Sequence, residues 1–154
     1  MYAPQGQQPV VRVNSRYEWL YVYAFVHPNS GRTVWYLLPR VNAASFQVVL
    51  NDFTKTVEAS SGKRVLIVLD NAGWHKAKML GIPEHLEFVF LPAYSPELQP
   101  AERLWALSDE GVRNRCLTSL QALEDGLSVQ CERLMCDTGR VRGRTLFHWW
   151  PSDC

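Results

Sequence analysis

The stretch Val65-Leu-Ile-Val-Leu69 is an unbroken run of apolar residues, and Asp70-Asn71 follows it directly. A run of this length without alternation is typical of a β-strand that is buried on both faces of a sheet. We therefore predict an α/β domain in which the strand Arg64–Leu69 is central and helices cover both sides of the sheet. Asp70 then lies at the carboxyl edge of the strand, where α/β folds place ligands and catalytic groups.

The residues before this strand predict a hairpin and a helix. Tyr17–Val26 and Thr33–Leu38 are dense in aromatic and β-branched residues, and the turn sequence His27–Gly31 separates them, so we expect two antiparallel strands. Asn42 is a favourable N-cap for a helix whose apolar residues recur at helical spacing. That helix is expected to end near Ser60–Gly62.

The residues after Asp70 continue the alternation of helices and strands. We predict a short helix at Trp74–Leu80, a strand at Leu86–Leu91, a helix from Pro100 to about Asn114 and a long last helix capped by Thr118 and Gln121. The loop Pro92–Pro100 has little conformational freedom because it contains three prolines. The aromatic tail Leu146–Pro151 is expected to pack down as a lid.

Length and composition indicate one ordinary domain. The chain has 154 residues, of which 47% are hydrophobic, and a net charge of +1; this length suffices for a substantial core. We predict an irregular lead-in at residues 1–16 and a domain at residues 17–151. The small net charge offers no global electrostatic argument for nucleic acid. With no apolar run of about 20 residues and no signal-peptide pattern, we expect a cytoplasmic protein that does not enter a membrane.

Asp70 and Glu102 are the leading candidates for chemistry. Asp70 follows a buried strand and Glu102 lies in the first turn after the proline-rich loop, so the two carboxylates can converge on one site. Paired carboxylates hold Mg²⁺ or Mn²⁺, and two such ions assist phosphodiester displacement. The structural alternatives are that Asp70 caps the next helix and that Glu102 complements a helix dipole.

Several neighbours of these acids are candidates for the rim of the site. His75 is suited to contact a phosphate or the metal-site rim, or alternatively to bond to the backbone. The other rim candidates are one amide and two cations: Asn71, Lys76 and Arg103. Cations here would help to hold a polyanionic substrate, but each is equally compatible with an ordinary surface position.

Two stretches together resemble the insertion-sequence and mariner-like superfamily of DDE transposases, which contain a DDE superfamily endonuclease domain. They are Asp70-Asn-Ala-Gly-Trp-His-Lys76 and Leu91-Pro-Ala-Tyr-Ser-Pro-Glu-Leu-Gln-Pro-Ala-Glu-Arg-Leu-Trp105. The resemblance implies a ribonuclease H-like mixed sheet flanked by helices. It also implies three carboxylates that bind two Mg²⁺ or Mn²⁺ ions, with Asp70 second and Glu102 third. The implied partners are transposon-end and target DNA, with a homo-oligomer in the complete enzyme.

The first carboxylate of that set has no counterpart here. Residues 1–17 contain no Asp or Glu, Glu18 begins the predicted hairpin, and Asp52 lies within the predicted helix. We therefore expect that the chain lacks the first strand of the sheet and is either a decayed fragment or the downstream half of a split transposase. In either case, we expect the isolated chain to be inactive.

Two other functions are compatible with the sequence. One is a noncatalytic DNA-binding or regulatory fragment of a transposase. The other is a different ribonuclease H-like nuclease such as a resolvase, which predicts further carboxylates near the C-terminal helix; Asp109 and Glu110 are candidates, although they also fit a surface helix.

Overall fold

The computed structural model describes residues 18–58 and 64–151. These residues form four strands and four α-helices: β1 (Tyr21–His27), β2 (Arg32–Leu38), α1 (Ala43–Glu58), β3 (Val65–Leu69), β4 (Leu86–Phe90), α2 (Trp105–Ser108), α3 (Leu120–Cys136) and α4 (Thr138–Thr145). Short 3-10 turns lie between them. The mixed α/β class predicted from the sequence is confirmed, whereas the predicted lead-in at residues 1–16 lies outside the described ranges.

The predicted hairpin is formed, although residues 18–20, which the prediction placed in its first strand, precede β1. Strands β1 and β2 pair antiparallel from Tyr21 opposite Leu38 to His27 opposite Arg32. Gly31 closes the turn: its amide donates to the His27 carbonyl at 2.8 Å, and its φ of 71° lies in the left-handed region. A Cβ atom on Gly31 would also lie 1.9 Å from the backbone oxygen of Thr138. The turn and the start of α4 therefore approach too closely for any other residue.

We expect Gly31→Ala to lower the free energy of unfolding by at least about 2 kcal/mol. A backbone oxygen cannot rotate away from the added methyl group, and the left-handed φ adds strain. Thermal unfolding followed by circular dichroism measures the effect. Gly143→Ala is the matched control, because Gly143 lies in α4 with nothing near its missing Cβ, and it should stabilise the protein by up to about 1 kcal/mol. Equal effects of the two substitutions would contradict this account.

The second sheet differs from the prediction. Strand β3 pairs in parallel with β4, from Val65 opposite Leu86 to Leu69 opposite Phe90, and within the described ranges no strand pairs with its other edge. The predictions of a central strand and of burial on both faces are therefore wrong for the described residues. Leu66 is 60% exposed, because the described helices cover only the face that carries Ile67 and Leu69.

Helix α1 joins the two small sheets. It begins where predicted, since the Asn42 side chain accepts the amide of Ser45 at 2.8 Å. Its buried face packs onto both sheets: Phe46 contacts Tyr23 of β1 and Phe88 of β4 at ring-centroid distances of 6.0 and 6.2 Å. The same core includes Leu50, Phe53, Ile67, Leu69 and Leu86. One hydrophobic cluster thus fixes the hairpin relative to the carboxyl end of β3.

Three predicted helices have different bounds in the structure. A single 3-10 turn, Gly73–Lys76, replaces the helix expected at Trp74–Leu80. The helix after Pro100 is formed, although 3-10 turns make up both of its ends. The last long helix is capped by Ser119, whose side chain accepts the Ala122 amide, and not by Thr118. It stops at Asp137, whose side chain caps α4.

A second hydrophobic cluster lies between the hairpin and the C-terminal helices. Leu104, Leu107, Leu134 and Val141 form it, and Val26 and Trp35 of the hairpin pack against it. The expected packing of the aromatic tail is confirmed: Phe147 is buried, and the Asn29 amide donates to the Pro151 carbonyl at 2.6 Å. Among the helices of the described ranges, none has the length and apolarity to cross a bilayer.

Candidate active site

Asp70 follows the last residue of β3, and its two carboxylate oxygens have different surroundings. Oδ1 accepts the Ala72 amide at 3.1 Å and the Nδ1 nitrogen of His75 at 2.7 Å. The first bond is a local turn of the kind that Asp commonly forms. The interpretation of Asp70 as a helix cap is wrong, because the next helical turn has Ala72 at its N-cap and no side-chain cap hydrogen bond. None of the hydrogen bonds in the described ranges involves Oδ2. Because the side chain is 54% exposed, this oxygen is accessible to a ligand.

His75 is buried beside Asp70. Its side chain is only 9% exposed, and the rings of Phe46, Trp74 and Tyr23 surround it at centroid distances of 4.5, 5.8 and 6.5 Å. The interpretation of His75 as hydrogen-bonded to backbone is wrong for the ring, which bonds to the Asp70 carboxylate. Whether His75 contacts a phosphate or a metal-site rim stays a prediction.

Tyr23 lies beside Asp70 and His75, although in the sequence it is only one of several aromatic residues of a predicted strand. Burial, and after it the negative charge of Asp70, raises the pKa of Tyr23 to about 12. The phenol is therefore neutral at physiological pH. Tyr23 connects β1 to Asp70, because its ring also contacts Phe46 and His75.

Asn71 and Lys76 have structural contacts at the same edge. The Asn71 amide donates to the carbonyl of Leu91, which ties the end of β3 to the end of β4. The Lys76 ammonium lies 5.2 Å from the centre of the Phe90 ring, a cation–π distance. A DNA contact by either residue stays a prediction.

Glu102 lies in the 3-10 turn Pro100–Leu104, and its exposed carboxylate accepts the Trp105 indole N–H at 3.1 Å through Oε2. Trp105 in turn packs edge-on against Trp35 of β2. Arg103 turns toward the tail: its guanidinium lies 4.0 Å from the centre of the Phe147 ring and donates to the Arg144 carbonyl at 3.5 Å. The structure thus brings Asp70, Asn71, His75 and Lys76 together, and places Glu102 on a turn that packs against the hairpin.

The described residues do not contain a complete set of metal ligands. Within residues 18–58 and 64–151, no group of three or more His, Cys, Asp or Glu side chains is arranged to hold an ion. The convergence of Asp70 and Glu102 stays a prediction. The acids of the competing nuclease interpretation are partly engaged elsewhere, because both carboxylate oxygens of Glu110 accept from Arg140 at 2.7 Å.

Comparisons with known proteins identify a family, a similar sequence and a similar fold. The profile described as DDE superfamily endonuclease matches residues 1–124. The uncharacterized protein y4pE/y4sA of Sinorhizobium fredii (strain NBRC 101917 / NGR234) is 33% identical over 98 residues, which are 63% of this chain and 71% of that protein. A chain from the crystal structure of the Mos1 strand transfer complex has a similar fold, with a TM-score of 0.58 at 18% identity. That match covers 96% of this chain, which spans 50% of the Mos1 chain.

Proposed function

We propose that this chain, which belongs to the DDE superfamily endonuclease family, carries part of the catalytic site of a transposase that cleaves and joins DNA strands. Membership confirms the resemblance inferred from the two motifs, and the Mos1 likeness supports the ribonuclease H-like fold. One observation carries the proposal: Asp70 follows β3 with two hydrogen bonds to Oδ1, none to Oδ2 within the described ranges, and a side chain that is 54% exposed. That is the arrangement of a carboxylate held ready for a ligand.

The donor atoms at this site suit Mg²⁺ or Mn²⁺, because carboxylate oxygens are the hard ligands that these ions prefer. We propose that Oδ2 of Asp70 and the Glu102 carboxylate are two of the ligands. When bound, the ions would supply charge stabilisation to the attacking and leaving oxygens of a phosphodiester displacement. The described residues provide no three-ligand group, so a further carboxylate must come from outside them.

The chain's own residues prepare and orient the site. His75 and the Ala72 amide hold Oδ1 of Asp70, while Asn71 fixes the ends of β3 and β4 relative to each other. The aromatic rings of Tyr23, Phe46 and Trp74 exclude water from His75. Lys76 and Arg103 are cations close in sequence to the two acids, and we propose that they attract the DNA backbone.

The absence of a three-ligand group in the described residues leads to a proposal about partners. We propose that the upstream half of a split transposase supplies a strand that bears it, and that the assembled enzyme is a homo-oligomer on transposon-end and target DNA. If the third carboxylate comes from that partner, the isolated chain is catalytically inactive. The fold match to a chain of a strand transfer complex agrees with DNA as the partner.

Manganese binding tests the two proposed ligands. We expect electron paramagnetic resonance titration to detect weak Mn²⁺ binding by the chain, because two carboxylates without the third hold an ion loosely. Asp70→Asn and Glu102→Gln should each lower the affinity about tenfold or more, since removing a ligand costs at least as much as removing a residue that supports one.

Glu132→Gln is the matched control. Glu132 is an exposed acid of α3, so its substitution changes the net charge in the same way without removing a proposed ligand. We expect Mn²⁺ binding by this variant to equal that of the wild type. Equal losses in all three variants would indicate nonspecific attraction by surface charge, and the proposed ligands would be wrong.

A further inference from the structure

We propose that His75 is a positioning residue that fixes the Asp70 carboxylate so that Oδ2, and not Oδ1, is presented to the ligand. The inference rests on the proposed function for the identity of that ligand, a divalent metal ion. The orientation of Asp70 by His75 is a separate claim that the metal-free chain tests by itself. The contact on which it depends is the 2.7 Å bond between Nδ1 of His75 and Oδ1 of Asp70.

The bond defines which ring nitrogen carries a proton. A carboxylate oxygen can only accept, so Nδ1 must be the donor. Nε2 is buried and has no hydrogen-bond partner in the described ranges. The ring is thus held by a single polar contact, at Nδ1, and by packing. All of the polar bonding of the His75 side chain is directed at Asp70.

The aromatic rings around His75 explain why its bond to Asp70 can fix the orientation of the carboxylate. Phe46 is fully buried and lies 4.5 Å from the His75 ring, while Trp74 and Tyr23 contact the ring edge-on. Close packing of this kind leaves a side chain few alternative rotamers. The imidazole therefore acts as a rigid donor, and its position depends on α1 and β1 as well as on its own 3-10 turn.

The two carboxylate oxygens of Asp70 therefore have different roles. Oδ1 accepts two hydrogen bonds, one from the Ala72 amide and one from His75, which restricts rotation of the carboxyl group about its bond to Cβ. Without His75, the backbone bond alone would permit either oxygen to face the ligand. Carboxylates that ligate metals are commonly oriented by such hydrogen bonds, and loss of the orienting group typically costs about 10- to 100-fold in metal affinity.

A set of three substitutions separates positioning from simple packing. His75→Asn places an amide N–H where Nδ1 lies, His75→Gln places the same group near Nε2, and His75→Leu removes the donor. We expect His75→Gln and His75→Leu to weaken Mn²⁺ binding about 10- to 100-fold, while His75→Asn retains most of the affinity. Electron paramagnetic resonance titration gives the affinities, and melting temperatures show whether each variant is folded.

A second readout uses the chain without metal. Crystal structures of the metal-free chain should show one rotamer of the Asp70 carboxyl group about its Cβ–Cγ bond in the wild type and in His75→Asn, and more than one in His75→Leu. Equal losses of affinity in His75→Asn and His75→Gln, or a single Asp70 rotamer in folded His75→Leu, would overturn the positioning role. Unchanged Mn²⁺ binding in Asp70→Asn would instead overturn the proposed metal function, and the rotamer measurement would still decide the role of His75.

Discussion

Supercoiled plasmid DNA incubated with this chain in Mg²⁺ or Mn²⁺ should stay uncut, whereas the chain combined with the segment encoded directly upstream should nick it. Asp70 and Glu102 are the two ligands that we propose, and the described residues contain no group of three metal-ligating side chains. A two-metal displacement needs its ions placed precisely. A misplacement of about 1 Å can cost on the order of a hundredfold in rate. Loss of a ligand costs more, so we expect a difference of at least about a thousandfold between the chain alone and the combination.

Variants of the proposed ligands distinguish nicking by this protein from nicking by a contaminating nuclease. In the combination, Asp70→Asn and Glu102→Gln should abolish nicking, and Glu132→Gln should leave it unchanged. Gel electrophoresis of the plasmid measures all of these activities. Robust nicking by the wild-type chain alone that disappears in Asp70→Asn would show that the chain already contains a complete site, and the proposed need for an upstream carboxylate would be wrong.

The elements that the sequence predicted well are those governed by local chemistry. The hairpin follows from two runs of aromatic and β-branched residues around a glycine turn, and the start of α1 follows from Asn42. Asp70 is placed by the apolar run before it. In each case the residues that decide the structure are neighbours in the chain, so no knowledge of the packing was needed.

The parts that the sequence did not predict depend on contacts between distant residues. The exposure of Leu66 is set by which helices cover β3, and an apolar run alone cannot tell one covered face from two. The capping-box spacing to Gln121 predicts Thr118 as the cap of α3, but the structure caps the helix with Ser119, whose side chain accepts the Ala122 amide. The role of Tyr23 depends on an approach of β1 to Asp70 across 47 residues, which no local pattern encodes.

The two small sheets leave strand edges unpaired in the described ranges. Strands β1 and β3 each pair on one side only, and α1 packs beneath both sheets. A two-stranded sheet is marginally stable by itself, and an unpaired edge is a template for another strand. These edges suit the strand that we propose comes from the upstream segment, which would join β1 and β3 into one sheet.

The backbone hydrogen bonds between β3 and β4 show which amides of β3 would be protected by a strand added at its other edge. The Val65 amide donates to the His85 carbonyl at 2.8 Å, and the Leu69 carbonyl accepts the Leu91 amide at 2.9 Å. Backbone groups of a strand alternate between its two edges, so Val65, Ile67 and Leu69 direct theirs toward β4. The amides of Leu66 and Val68 point toward the unpaired edge.

We therefore expect hydrogen exchange at the amides of Leu66 and Val68 to be fast in the chain alone and at least about tenfold slower once the upstream segment is bound. The amides of Val65, Ile67 and Leu69 serve as internal controls, because β4 already protects them in the chain alone. An upstream segment with proline in the inserted strand cannot complete the ladder and should leave Leu66 and Val68 unprotected. Exchange measured by NMR that is equally slow at all five amides without the segment would show that the edge of β3 is already covered, and strand insertion would be excluded.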